Sequence, residues 1–175
     1  MILPSNFENH PLNANNKAIL RKFVLESGYG AISEDSIEMR VNALHDFLLD
    51  YTDVKTFDDS VYLESTDNRL SYEQYAKKEY YHDGSEQYRM ILHINLISKA
   101  EYEYFAEGGS KEATKRINPM CEIHTKWLNE CTDYYYGWFD KKWLGNGQIG
   151  KEYCFFAKGF LKCFDYVRIE CYTWH

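Results

Sequence analysis

The sequence predicts an α+β protein with N-terminal helices and a small, mostly antiparallel sheet packed on a long aromatic-rich helix. Three observations carry that reading. Residues 16–48 repeat apolar side chains at three- and four-residue steps, the period of an amphipathic helix. Residues 88–98 and 152–174 alternate apolar and polar side chains, the period of a half-buried strand. Between them, Asn118–Leu144 (NPMCEIHTKWLNECTDYYYGWFDKKWL) opens on a helix-start signal and runs into a dense band of aromatics. No composition break or internal repeat divides the 175 residues, so one domain over 1–175 is expected.

Residues 1–15 hold two prolines and several asparagines and read as an extended N-terminal arm. Asn16 can cap a helix running to Glu26, with Ile19, Leu20, Phe23 and Val24 on one face and Gly28 in the left-handed closing position. A second helix starts near Ser33 or Asp35, where Asp35 and Glu38 have capping-box spacing. Ile37, Val41, Leu44, Phe47 and Leu48 form its buried stripe, with His45 beside it. Two helices joined by a glycine turn suggest a helix-turn-helix. The second begins with Glu34, Asp35 and Glu38, however, the wrong charge for a helix that enters a DNA groove.

Val61–Leu63 reads as a short strand, and Ser71 as the cap of a third helix over Tyr72–Tyr81. His82–Ser85 is a turn. Tyr88–Ser98 is the central strand, continuing toward Phe105. It carries Tyr88, Met90, Leu92, Ile94 and Leu96 on one side and His93 on the other, beside Ile91 and Asn95. That second face is mixed, as suits a sheet covered only in part. Ser110 caps a short helix, Lys111–Ile117.

Asn118-Pro119 is an N-cap followed by a proline at the first helical position, where its missing N–H costs nothing. Met120, Ile123, Trp127, Cys131 and Tyr134 or Tyr135 then share a helix face. The glycines 145, 147 and 150 mark a turn. Glu152–Trp174 reads as paired strands, with Lys158-Gly159 as their turn.

Composition excludes several functions. The net charge of −7 argues against direct nucleic-acid binding, which needs a basic face to displace counterions. It is too mild for a mimic of the DNA phosphate array. No apolar run approaches the roughly 18 residues of a membrane helix, and MILPSNFENHPL lacks the charged and apolar regions of a secretory signal. The five cysteines are odd in number and all follow position 120, a poor disulfide framework. A reducing cytoplasm, or a host's cytoplasm for a viral protein, is the expected location. Heavy use of Asn, Lys, Tyr and Ile suggests an AT-rich bacterial or phage genome.

Four constellations could carry chemistry. Cys121-x-x-His124 and Cys171-x-x-x-His175 have zinc-ligand spacing, though no cofactor is the leading expectation. His93 and His124 could serve a pocket for a nucleotide-like ligand, or act as bases for Cys131, Cys154 or Cys163, but no nucleophile elbow surrounds any of these thiols. Gly145–Lys151 lacks full Walker spacing and reads as a turn. The aromatic band of Tyr134, Tyr135, Tyr136, Trp138, Phe139 and Trp143, with Asp140, has the residue types of an interface hot spot.

Aromatics make up 17% of the chain, with 16 Tyr and 4 Trp, side chains that favour interfaces. The expected function is therefore binding to a protein partner, a basic one, through the aromatic band and nearby acidic residues. Size, charge and the lack of a catalytic motif fit the small acidic inhibitors and immunity-type or anti-defence proteins of phages and bacteria. The alternative is an enzyme or small-ligand binder centred on His93 and His124. A self-complementary aromatic patch would serve a homodimer equally well.

Overall fold

Helix α1 (Ala14–Glu26) and helix α2 (Glu34–Tyr51) follow from their apolar stripes. The computed structural model describes residues 14–28, 33–51, 60–77, 87–107, 128–138, 142–143 and 149–174. Leu20, Phe23 and Val24 of α1 are fully buried, and Ile37, Val41, Leu44, Phe47 and Leu48 of α2 are buried as their spacing requires. Burying each such side chain contributes roughly 1.5–3 kcal/mol. Gly28, at φ 79°, ends α1 in the left-handed region. Ser33, and not Asp35, caps α2, since its Oγ accepts from the Ser36 amide at 3.1 Å. Helix α1 starts at Ala14 and so takes up the last two residues of the expected arm.

Strand β1 (Ser60–Thr66), strand β2 (Arg69–Lys77) and strand β3 (Gln87–Leu96) form an antiparallel meander. Asp67, at φ 48°, helps to turn the chain tightly between Thr66 and Arg69. The helix expected over Tyr72–Tyr81 is corrected for residues 72–77, which are strand, while residues 78–81 lie outside the described residues. Leu70 and Tyr72 alternate toward the core at 1% and 0% exposure, and pairing on both sides fixes them in a strand.

Strand β3 also ends sooner than expected. Ser98 caps helix α3 (Lys99–Ala106), its Oγ accepting from the Glu101 amide at 3.1 Å.

The second meander is strand β4 (Asp133–Trp138), strand β6 (Ile149–Phe160) and strand β7 (Phe164–Trp174), with the two-residue strand β5 (Lys142–Trp143) also pairing with β6. The last strands of the two meanders pair, giving the order β1-β2-β3-β7-β6-β4. Helices and antiparallel sheet make the fold α+β, as expected. Part of the aromatic-rich stretch is corrected: residues 128–129 are helical, but residues 133–138 are strand. Tyr and Trp favour a pleated, half-buried surface, and Gly137 disfavours helix. Residues 108–127, including the expected helices over 111–117 and from Asn118, lie outside the described residues.

One face of the sheet packs on α1 and α2. Leu70, Tyr72, Leu92, Ile94, Phe155 and Ile169 supply its floor. Phe23 meets Phe164 at 5.9 Å between ring centroids, and Phe47 meets Phe160 edge-on at 5.1 Å. The β6–β7 turn falls at Leu161–Cys163, later than the expected Lys158-Gly159. Gly159, at φ 65°, lies against Thr132, whose amide donates to the Lys158 carbonyl at 2.7 Å. Among the described residues, the opposite face is covered by α3, over part of its width. There Tyr102, Phe105 and Ala106 pack on Cys154, Phe156, Tyr135 and Tyr166.

Candidate functional site

Strand alternation decides what becomes of the aromatic band. Successive strand residues point to opposite faces. Tyr134 is half-buried against the α1/α2 core, while Tyr135 is half-buried against the α3 cluster. The band is therefore no single stripe. Tyr136 and Trp138 occupy β4 opposite Phe155 and Tyr153, and Trp143 occupies β5 opposite Ile149. Phe139 and Asp140 lie outside the described residues.

Tyr135 is fixed by Tyr102 of α3, with ring centroids 5.8 Å apart and planes at 64°. Tyr102 also meets Tyr166 at 5.2 Å, and Phe105 stacks on Phe156 at 3.9 Å. These contacts seat α3 over β6 and β7, with Tyr102 reaching Tyr135 on β4, the last strand in the order. The outward side of α3 then carries Glu101, Glu103, Tyr104 and the following Glu107, all exposed, with Tyr104 at 54%. Lys99 pairs with Glu103 at 3.6 Å. Surface pairs of this kind contribute little. The result is an acidic helix face with an exposed tyrosine next to an aromatic strand.

A second cluster occupies the part of the same sheet face that α3 leaves uncovered. Glu170 of β7 is 5% exposed. Its Oε1 lies 2.6 Å from Arg168 Nη2, and its Oε2 lies 3.4 Å from His93 Nδ1 and 3.7 Å from Arg69 Nη2. Burial pushes its pKa up. The hydrogen bond from His93 and the charges of Arg168, His93 and Arg69 outweigh burial and hold it below the usual carboxylate range. Register explains the convergence: Ser71, His93, Glu170 and Cys154 are successive cross-strand neighbours. Ser71–His93–Glu170 has the order of a hydrolytic triad. The amides of these inner strands are taken up by the ladder, so any oxyanion donors would have to come from another element.

The thiols are poorly placed for nucleophilic work. Burial, and then the Glu130 charge, push Cys131 up to about 12. Burial also pushes Cys163 up, against the lowering charge of Arg40. Cys154 is fully buried. With their pKa raised in this way, Cys131 and Cys163 hold almost no thiolate at neutral pH. Of the zinc set, Cys121, His124 and His175 lie outside the described residues, and Cys171 is 2% exposed in the α1/α2 core. Among the described residues no group of three or more His, Cys, Asp or Glu could hold a metal ion. His93 lies on the partly covered face, as expected, but its expected partner His124 is not described.

No family model, no curated protein and no solved structure matches this chain. Among the described residues no helix is long and apolar enough to cross a membrane.

Proposed function

We propose that this protein is a binding module that engages a basic protein partner through the α3–β4 surface, as small inhibitor or immunity-type proteins of phages and bacteria do. One observation carries the reading. The Tyr102–Tyr135 contact joins the acidic, Tyr104-bearing face of α3 to the strand that carries the aromatic band. Aromatic anchors inside a charged rim are the residue types of interface hot spots. The carboxylates Glu101, Glu103 and Glu107 would steer a basic partner and favour its encounter. Tyr135 is the band residue that meets α3, through Tyr102.

The test is capture by immobilised protein from a bacterial lysate, with Glu101→Lys/Glu103→Lys/Glu107→Lys and Tyr104→Ala run in parallel. A captured protein of basic isoelectric point should be lost from the triple variant and weakened by Tyr104→Ala, with melting temperatures unchanged. Equal capture by the folded triple variant would refute the assignment.

A further inference from the structure

We propose that Tyr104 seats an arginine side chain of the basic partner, whose guanidinium stacks on the ring and pairs with the Glu107 carboxylate. This rests on the reading that the α3 face takes a basic protein. The Tyr104 ring is exposed and yet held. It is 54% exposed, and it meets the Phe105 ring edge-on at 5.4 Å between centroids, with planes at 75°. Phe105 in turn stacks on Phe156 of β6 at 3.9 Å. A ring anchored through its neighbour to the sheet loses little freedom when a ligand settles on it. Glu101 and Glu107 stand three residues before and three residues after Tyr104. Residues three apart are neighbours on a helix surface, so the two carboxylates flank the ring on either side. The Glu107 amide donates to the Glu103 carbonyl at 2.9 Å, which carries the helical spacing through to Glu107.

The charges of α3 point to a cation at its C-terminal end. A helix C-terminus carries the negative end of the macrodipole and favours basic side chains in its last turn. The last turn of α3 has none, and Glu107 sits at the C-cap. Glu103 and Glu107 are four residues apart, a spacing at which like charges on a helix repel. Lys99, 3.6 Å from Glu103, offsets that acid in part. Glu107 forms no ion pair among the described residues. On the sheet beneath, Arg168 pairs with Glu170 at 2.6 Å, and Lys158 is set opposite Asp133. Glu101, by contrast, lies in the first turn, where the dipole favours an acid. The unmet negative charge is therefore at the Glu107 side of the Tyr104 ring, and a cation from outside would relieve it.

Chemistry selects arginine among cations. A metal ion needs several converging ligands, and among the described residues no group of three or more His, Cys, Asp or Glu could hold one. A quaternary ammonium group takes a cage of several rings. Here Phe105 turns onto Phe156 and Tyr102 is buried, which leaves Tyr104 as the exposed ring of α3. A lysine ammonium is a compact, strongly hydrated point charge. The arginine guanidinium is planar, stacks on an aromatic face and donates two parallel hydrogen bonds to a carboxylate. One ring with a carboxylate one turn along the helix matches that pair of contacts.

The test is a two-dimensional ¹H–¹⁵N NMR titration of the full chain at constant ionic strength. The probes are acetylated peptides of alternating glycine and arginine, and of alternating glycine and lysine, equal in length and charge. Both should shift the Glu101, Tyr104 and Glu107 signals saturably. The arginine peptide should bind about threefold more tightly, the scale of an exposed cation–π contact, and its side-chain Cδ protons should move upfield over the ring. Tyr104→Leu should abolish the preference while both peptides still bind, and Tyr104→Phe should keep it. Glu107→Gln should weaken the arginine peptide more than the lysine peptide. Equal binding of the two peptides to the wild-type chain, or a preference that survives Tyr104→Leu, would overturn the arginine seat and leave the basic-partner reading standing. Shifts by neither peptide on α3, or shifts undiminished in Glu101→Lys/Glu103→Lys/Glu107→Lys, would remove that reading and the arginine seat with it.

Discussion

His93 Nδ1 lies 3.4 Å from Glu170 Oε2, across 77 residues of chain. The contact exists because the final strands of the two meanders pair, setting His93 opposite Glu170. An ionised carboxylate can only accept, so the imidazole nitrogen facing it carries the proton. Arg168 and Arg69 complete the shell of donors around a carboxylate that would otherwise be costly to bury.

Glu170→Gln should therefore destabilise the fold by about 2–4 kcal/mol at pH 7, because it leaves partly buried cations without their counter-charge. The pH dependence follows from the lowered pKa of Glu170. A carboxylate with a depressed folded-state pKa stabilises fully above its unfolded value, about 4.3, and loses that contribution as pH falls through the folded value. Urea unfolding from pH 7 down to pH 3 should show the gap between wild type and variant constant at first, then narrowing below about pH 4. Equal stability at pH 7 would show that the network contributes nothing.

How far the sequence reveals this fold depends on the distance between interacting residues. The stripes of α1 and α2 are local: Leu20, Phe23 and Val24, or Val41, Leu44 and Leu48, meet one face whatever lies elsewhere. The alternation of Leu92, His93 and Ile94 is legible for the same reason. Strand β2 is not, since Tyr72, Tyr75 and Ala76 also fit helical steps and only the flanking strands decide between them. Helix α3 did leave a signal, because Ser98-x-x-Glu101 is a capping-box pattern, but it follows directly on the central strand and reads as its continuation. Of the candidate sites, the aromatic residues were legible and their division between two faces was not. Arg69 and Arg168 meet Asn95 from 26 and 73 residues away, and no local pattern marks them.

Gly159→Ala should destabilise the protein by about 2–4 kcal/mol, adding left-handed strain to overpacking. Gly159 has φ 65°, and an added Cβ would overlap Thr132 Oγ1 and crowd Thr132 Cβ. Adding Thr132→Gly removes the overlapping atoms while the positive φ remains. The double variant should then recover part of the loss, net of the new glycine's own cost. Chemical denaturation of both variants checks this. A single variant as stable as wild type would mean that the 130–132 segment moves aside freely.

Lys162→Gly should have the opposite sign. Leu161 and Lys162 sit at φ 52° and 54°, where non-glycine residues are strained. Leu161 packs against the core, but Lys162 is exposed at the turn. Glycine at Lys162 relieves the strain without losing a packed side chain, at the cost of extra freedom in the unfolded chain. A net gain of about 0.5–1 kcal/mol is expected, read as a higher denaturation midpoint at unchanged slope. A lower midpoint would show that the turn is relaxed as it stands.

The Tyr102–Tyr135 pair separates the roles of Tyr135 in folding and in binding. Edge-to-face aromatic pairs contribute about 0.5–1.5 kcal/mol beyond the area they bury. A double-mutant cycle on Tyr102→Ala and Tyr135→Ala should return a coupling energy in that range, since the rings are 5.8 Å apart. Tyr102, at 5% exposure, should cost more when truncated than half-buried Tyr135. Tyr135→Phe keeps the ring contact and removes the hydroxyl, so it should leave stability near wild type and expose any contribution of the hydroxyl to partner capture. If the cycle shows no coupling, α3 and β4 are not held together by this contact, and the composite surface proposed for the partner loses its basis.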